Sequence, residues 1–318
     1  MGFGTAGEVC HMSYVQGITG RAVGIEVGKH ELTAVYLDES GQVMGQTVAA
    51  VRLAEPATGQ LISFISDLKS SFGDFERVGV AVPGLVDRAA KTVAFSAHIP
   101  EHSGKDLGVE IERETGLKIF LENDANAAGY GEFKLGAGRG AENMFYATIG
   151  AGVGGSFIFG GNIWRGVRGF AGEFGYVPIN SDGQRLEEVA SSANLIRRTR
   201  NRFHQDSTSS LVDIDEREIK TRDIIAAAAA DDDFAKLMLE RTGTYVGTAI
   251  ASVINLTNIE RIVVGGEIVR DQSVVIDAIV ARAHELSFAP SFASATILAG
   301  ELRENAAATG AALLAREA

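Results

Sequence analysis

Sulfur is scarce in this 318-residue sequence, and basic residues are outnumbered by acidic ones. A single cysteine, Cys10, excludes an intrachain disulfide and any metal site built on a thiolate cluster. Lys and Arg number 29 against 41 Asp and Glu, a net charge of −12, which argues against a nucleic-acid surface, since that needs a clustered basic footprint. The nearest such cluster, Arg197-Arg198-Thr199-Arg200-Asn201-Arg202, reads as one solvated helix face. No apolar run approaches the ~18 residues of a membrane span. Residues 1–20 lack both a basic start and a long apolar stretch, so they are not expected to act as a secretory signal. The expectation is a cytoplasmic protein with no membrane or nucleic-acid partner. Glycine, by contrast, is abundant: 38 of 318 residues, about 12% where ~7% is usual, without a fibre-like period.

Apolar alternation organises the chain into two halves that begin alike. AVGIEVG (22–28) reads as a strand with one buried face, Val23, Ile25 and Val27 alternating with Gly24, Glu26 and Gly28. Strands at 32–38 and about 42–52 follow, then a helix at 58–71 with Leu61, Ile62, Ile65 and Leu68 on one side, a strand at 77–84, a helix near 105–115 and a strand at 118–122. The second half restarts with a strand at 144–150, a glycine turn GAGVGG at 150–155, a returning strand at 156–161 and a third beginning at Asn162. Helices at 221–229 and 232–258, a strand at 261–266 and an Ala-rich helix at 304–316 complete the pattern, the last expected to cross back onto the first lobe. The small residues of 242–252 would let their helix lie close to a neighbour. Two halves that each open as strand, Gly turn, strand imply a duplicated α/β architecture.

Three stretches can carry chemistry. In FLENDANAAGYGE (120–132), Asn and Asp are both preferred cap residues, so capping the helix that follows is an ordinary structural role for Asp124. GAGVGG lies between two strands and so does not fit a dinucleotide fingerprint, which must open a helix. It is either a plain tight hairpin or a nest of backbone N–H groups aimed at an anion. Val264-Gly265-Gly266 ends a strand where backbone can approach a flat ligand.

In this order, IFLENDANAAGYGE, ATIGAGVGGSFIFGGNIWRGVRGFAGEFGYV, RLEEVAS and IVVGGE closely resemble the ROK family of repressors, unassigned reading frames and sugar kinases, over about residues 21–316. The resemblance implies the two-lobed actin-like, ribonuclease-H-like ATPase fold with an active site between the lobes. It divides the chain into an extension at 1–20 expected to be disordered, a first lobe at 21–135 joined by 304–318, and a second lobe at 136–303. It also implies transfer of the γ-phosphoryl of Mg-ATP to a hydroxyl of a hexose or amino-hexose by a homodimer or homotetramer. Position by position, Asp124 falls on the catalytic base, and Asn123, Glu173 and Glu187 on sugar ligands. Gly150 and Gly152 fall on a phosphate loop, and Gly265 and Gly266 on the nucleoside side. The chemistry suits those types: phosphoryl transfer is mostly positioning and charge stabilisation, with one carboxylate accepting the attacking hydroxyl's proton.

Four positions depart from the family pattern. Where family kinases read Asp-x-Gly-Gly-Thr, this chain has Glu26-Val27-Gly28-Lys29-His30, moving a carboxylate by about a bond length; a misplacement near 1 Å can cost ~10²-fold. His30 remains a possible phosphate donor. Ala151 replaces a Thr hydroxyl in the second phosphate loop, a lost bond to a charged group worth ~1.5–3 kcal/mol. Tyr176 stands where many members carry a zinc-ligating His, and VPINSDGQRLEE replaces the cysteine loop. No zinc is therefore expected, the shortened loop must be held by packing, and the Tyr176 hydroxyl is a candidate sugar contact. His98, in FSAHIP, occupies a position where a sugar-binding Asn is common. Two functions fit: a glucokinase-type kinase using ATP and Mg²⁺, or a non-catalytic sugar sensor related to repressors. Against DNA binding by the chain itself, the ~20 residues before the first strand are too few for a winged helix-turn-helix.

Overall fold

The computed structural model describes residues 21–52, 54–202 and 208–318; the extension at 1–20, with Cys10, lies outside them. The first half supplies β1 (Ala22–Val27), β2 (Glu31–Leu37), β3 (Val43–Ala50), α1 (Ala57–Phe72), β4 (Arg77–Val82), the small hairpin β5 (Leu85–Asp87) and β6 (Thr92–Phe95), α2 (Leu107–Thr115), β7 (Lys118–Asn123) and α3 (Asp124–Leu135). The second supplies β8 (Met144–Ile149), β9 (Val153–Phe159), β10 (Asn162–Trp164), α4 (Glu187–Ala190), α5 (Ser192–Arg200), α6 (Thr221–Ala229), α7 (Asp233–Thr257), β11 (Arg261–Gly265), α8 (Ser273–Leu286), α9 (Ala289–Ala293), β12 (Thr296–Ala299) and α10 (Ala306–Glu317).

The duplication is visible in the strand plan. One sheet runs β3-β2-β1-β4-β7 and the other β10-β9-β8-β11-β12. In each, the first three strands in sequence pair antiparallel, the fourth joins the first in parallel, and the fifth joins the fourth in parallel. Helices α1 and α2 cover the outer face of the first sheet, where Leu61, Ile65, Leu107 and Ile111 pack with Val23, Ile25, Val80 and Ile119. On the outer face of the second, Ile250, Ile254 and Ile279 pack with Phe145, Ile149 and Ile262. Between the sheets lie α3 and α10, whose alanines share one core with Val35, Ala81, Met144, Tyr146 and Val263.

This middle layer corrects the reading of β1 as a strand with one buried face. Gly24 is buried too, because α10 lies directly on it: a Cβ built at Gly24 would sit 1.8 Å from the Ala308 carbonyl oxygen, and one at Gly79 in β4 would sit 1.9 Å from that of Ala311. The alternating glycines are the seat of a helix rather than a solvated face. Gly79→Ala must therefore push α10 off the sheet. Overpacking of this kind typically costs ~1–3 kcal/mol, and urea unfolding of the variant should show at least that loss.

Two further expectations change. The turn at 150–155 is shorter, because β9 already begins at Val153 and Gly154 lies in the strand, where a side chain would strike Ala125 of α3. The basic cluster 197–202 is a solvated face only in part: Arg197, Asn201 and Arg202 are exposed, whereas the residues between them are not. Thr199 is fully buried, Arg198 donates to the carbonyls of Val189 and Met238, and Arg200 donates to those of Arg217 and Ile219. These two guanidinium groups satisfy loop and helix carbonyls and so link α5 to its neighbours in the second lobe. The small residues of α7 do bring it close to α8, with Gly243 against the Val275 carbonyl. Among the described residues no helix is long and apolar enough to cross a membrane.

Candidate active site

The end of β7 answers which residue caps α3. Asn123 does: its Oδ1 accepts the Asn126 N–H at 2.9 Å, while its Nδ2 donates to the Gly84 carbonyl at 3.0 Å and to Asp124 Oδ1 at 2.9 Å. Asp124 is the first helical residue. Its Oδ1 also accepts the Ala125 N–H at 2.9 Å. The carboxylate is thus oriented by its neighbours without being needed as the cap. Burial pushes its pKa up to about 6, against the opposing pull of the Ala125 N–H and of nearby His98.

Other acidic groups converge on Asp124 from both lobes. Glu26, near the end of β1, is pushed up to about 8 by burial, and then by the charges of Asp124 and Glu31. Glu173, between β10 and α4, is raised by desolvation and by the charges of Asp124 and Glu187. Glu187 opens α4, and its Oε2 accepts the Val153 N–H at 2.9 Å. His98 and Glu187 meet across the β8–β9 turn: a Cβ built at Gly152 would lie 3.1 Å from His98 Cε1 and 3.2 Å from Glu187 Oε2. Asn123, Asp124, Glu173, Glu187, His98 and Glu26 therefore surround one space between the lobes.

The Gly150-Ala151-Gly152 turn forms the boundary of that space. On its far side, Gly150 faces the Glu267 side chain, and Gly266, with φ of +97°, is pressed against the Ile149 backbone. The turn is only in part a nest, because the Gly150 N–H donates to the Gly152 carbonyl at 3.0 Å and the Val153 N–H is engaged by Glu187. Ala151 is exposed at its tip. Beyond Gly265-Gly266, a cavity of about 650 Å³ opens at the ends of β11 and β12, with Val269 and Ile276 as apolar wall and Arg270, Gln272 and Arg303 as polar rim. Asp124 and Glu187 do not line this cavity; the glycine turn separates the two spaces.

Two expected residues stand apart. Tyr176 is 57% exposed, and the Arg185 guanidinium lies over its ring at 4.5 Å from the centroid. The contacts of Tyr176 are thus at the rim, because the short 177–186 segment folds back on itself through main-chain bonds between Ile179 and Gln184 and between Leu186 and Val177. Packing holds the segment as well: Leu186 is fully buried in the second-lobe core, with Val177 and Ile179 packed against it. His30 is exposed in the β1–β2 turn, which is closed by the Gly28 N–H donating to the Glu31 carbonyl at 2.9 Å. Among the described residues no group of three or more His, Cys, Asp or Glu is arranged to hold a metal ion. Sequence reasoning did not find Glu122 or Arg165. Glu122 is 3% exposed and accepts Arg165 Nη2 at 2.7 Å; their separation in sequence left no local signal.

The raised pKa of Glu26 gives stability one of its pH-dependent contributions. Between its ordinary value of 4.5 and about 8, the unfolded carboxylate is ionised while the folded one holds its proton, so folding takes up a proton and stability falls as pH rises. Below that window neither state pays. Glu26→Gln should flatten this decline, so that its melting temperature at pH 8, without ligand, exceeds that of wild type. A differential scanning calorimetry series from pH 4.5 to 8.5 checks it, and parallel curves for the two proteins would refute it.

Two sheets of one strand plan, with acidic groups from both lobes around a shared space, define the actin-like, ribonuclease-H-like ATPase fold. The ROK family model matches residues 22–318, and the chain belongs to that family. A glucokinase of Halalkalibacterium halodurans is 31% identical over 268 residues, covering 77% of this chain and 79% of the relative. The xylose repressor of Bacillus subtilis is 25% identical over 307 residues, covering 92% of this chain and 76% of the repressor. Among solved structures, a ROK family glucokinase of Streptomyces griseus in complex with glucose and AMPPNP superposes with a TM-score of 0.84 at 28% identity, covering 94% of this chain and all of that one. The chain thus resembles kinases and regulators alike.

Proposed function

We propose that this protein is an ATP-dependent sugar kinase of the glucokinase type, with Asp124 as general base toward a hydroxyl of a hexose or amino-hexose. The observation that carries the reading is that Asn123 caps α3 and leaves Asp124, with a pKa near 6, among Glu173, Glu187 and His98. Near neutral pH such a group is ionised yet remains basic enough to take a proton. Asn123, Glu173, Glu187 and His98 would accept or donate to the remaining hydroxyls, each of which needs a partner once buried. Tyr176 would reach the sugar only from the rim.

The nucleotide would lie across the glycine turn. Gly28, His30, Gly150, Ala151 and Gly152 would face its phosphates, and Gly265 and Gly266 its nucleoside, in the 650 Å³ cavity. Mg²⁺, arriving with ATP, suits Glu26: a carboxylate kept protonated by burial and by neighbouring acids is an oxygen donor that a hard cation relieves. When bound, the ion neutralises charge on the phosphate oxygens.

The test is ADP production with glucose, mannose, fructose and N-acetylglucosamine, for wild type and Asp124→Asn. Turnover that the variant loses supports the kinase. A second reading, a sugar sensor without catalysis, is favoured by Glu26 where family kinases carry Asp, and is consistent with the xylose repressor among the relatives. Sugar-dependent thermal stabilisation with no turnover in either protein would select it.

A further inference from the structure

We propose that Glu122 is a positioning residue that registers the two sides of the sugar site, a role that rests on the kinase reading above. Its carboxylate is 3% exposed and fully engaged. Oε2 accepts Arg165 Nε at 3.0 Å and Nη2 at 2.7 Å, with Arg88 Nε at 3.3 Å; Oε1 accepts the Asn123 N–H at 3.1 Å and Asn126 Nδ2 at 3.2 Å. These partners come from three places. Asn123 and Asn126 belong to the strand end and helix that present Asp124. Arg88 follows β5 in the first lobe. Arg165 follows β10 in the second lobe.

The loop that Arg165 begins is the one that delivers Glu173. The Arg165 carbonyl accepts the Ala171 N–H at 3.1 Å, closing residues 165–171, and Gly172-Glu173 follow at once. The same loop rests on the first lobe at Gly169, where a Cβ would lie 2.8 Å from the Val86 carbonyl oxygen. Asn123 in turn donates to the Gly84 carbonyl, just before β5. One carboxylate therefore holds the base-bearing strand end and the Glu173-bearing loop to each other. A planar guanidinium fork fixes direction as well as distance, which a point charge does not. Displacing Glu173 relative to Asp124 would loosen the grip on sugar, whereas the Gly265-Gly266 cavity, lined by other segments, would keep its nucleotide affinity.

The experiment uses the full chain and compares wild type, Arg165→Met and Arg165→Lys. Dissociation constants for the hexose that wild type phosphorylates, the KM for Mg-ATP, kcat and melting temperature are measured on each. Arg165→Met should weaken hexose binding about 10–100-fold, as expected if Glu173 loses a charge-assisted hydrogen bond to the sugar, with the Mg-ATP KM within about twofold of wild type. Arg165→Lys keeps the charge without the fork and should fall between. A merely structural ion pair would lower the melting temperature and leave the hexose constant unmoved, and that result overturns the proposal. So does parallel loss of hexose and nucleotide affinity. If Arg165→Met does not fold, Arg165→Lys decides, a wild-type hexose constant counting against the role. Wild type that binds and phosphorylates no hexose removes the kinase reading and this role with it; active wild type with unmoved variants removes this role alone.

Discussion

Replacing Asp124 with Asn is expected to lower kcat about 10²–10⁴-fold, the usual contribution of a positioned general base, or ~2.7–5.4 kcal/mol of barrier. The fold should survive. An amide oxygen at position 124 can still accept from the Ala125 N–H, and the helix keeps its cap because Asn123 provides it. Hexose affinity should change little, since Glu173, Glu187 and His98 remain. The variant also removes a carboxylate raised by burial, so its melting temperature above pH 6 should match or exceed that of wild type. Steady-state kinetics across pH 5–8 provide the companion check: wild-type kcat should climb as Asp124 ionises near pH 6 and level off above it. Equal turnover in the two proteins would dismiss Asp124 as the base.

The second large effect is expected at Glu187, whose substitution by Ala should raise the sugar KM roughly 10–100-fold. Hydrogen bonds to a charged group are worth ~1.5–3 kcal/mol each, and the carboxylate stands beside His98 and Glu173 where a polyol would lie. The same substitution leaves the Val153 N–H without its partner at the start of β9, so a modest drop in melting temperature should accompany the kinetic change. Glu187→Gln retains an acceptor oxygen and separates the two effects, restoring stability more fully than sugar affinity. An unchanged sugar KM in Glu187→Ala would exclude that carboxylate from substrate recognition.

β1 was legible from its period-two alternation, a local property, β2, β4 and β8 were legible as short apolar segments, and the shared opening of the two halves exposed the duplication. The hairpin of β5 and β6, helices α4, α8 and α9, and strand β12 were not read, and α5 only through its basic C-terminal end: they are short or lie in stretches where apolar spacing is ambiguous. The sequence of the Asn123-Asp124 pair permits either residue to cap α3. Only the donor geometry, with Asn126 on one and Ala125 on the other, separates them. Tyr176 was assigned by its place in a pattern, yet the fold-back of 177–186 turns it toward Arg185. Glu122 was passed over as one more strand residue, since the Arg165 that engages it lies in the other lobe.

The seating of α10 against Gly24 and Gly79 bears on the order in which the chain matures. During synthesis, β1 and β4 emerge long before residues 306–317, so one flank of the first sheet stays uncovered until nearly all of the polypeptide has left the ribosome. The second sheet and its own outer helices are complete earlier. The half made first should thus be the half finished last, and a nascent chain stalled ahead of Ala306 should yield a protease-resistant second lobe beside a first lobe that is still cleaved.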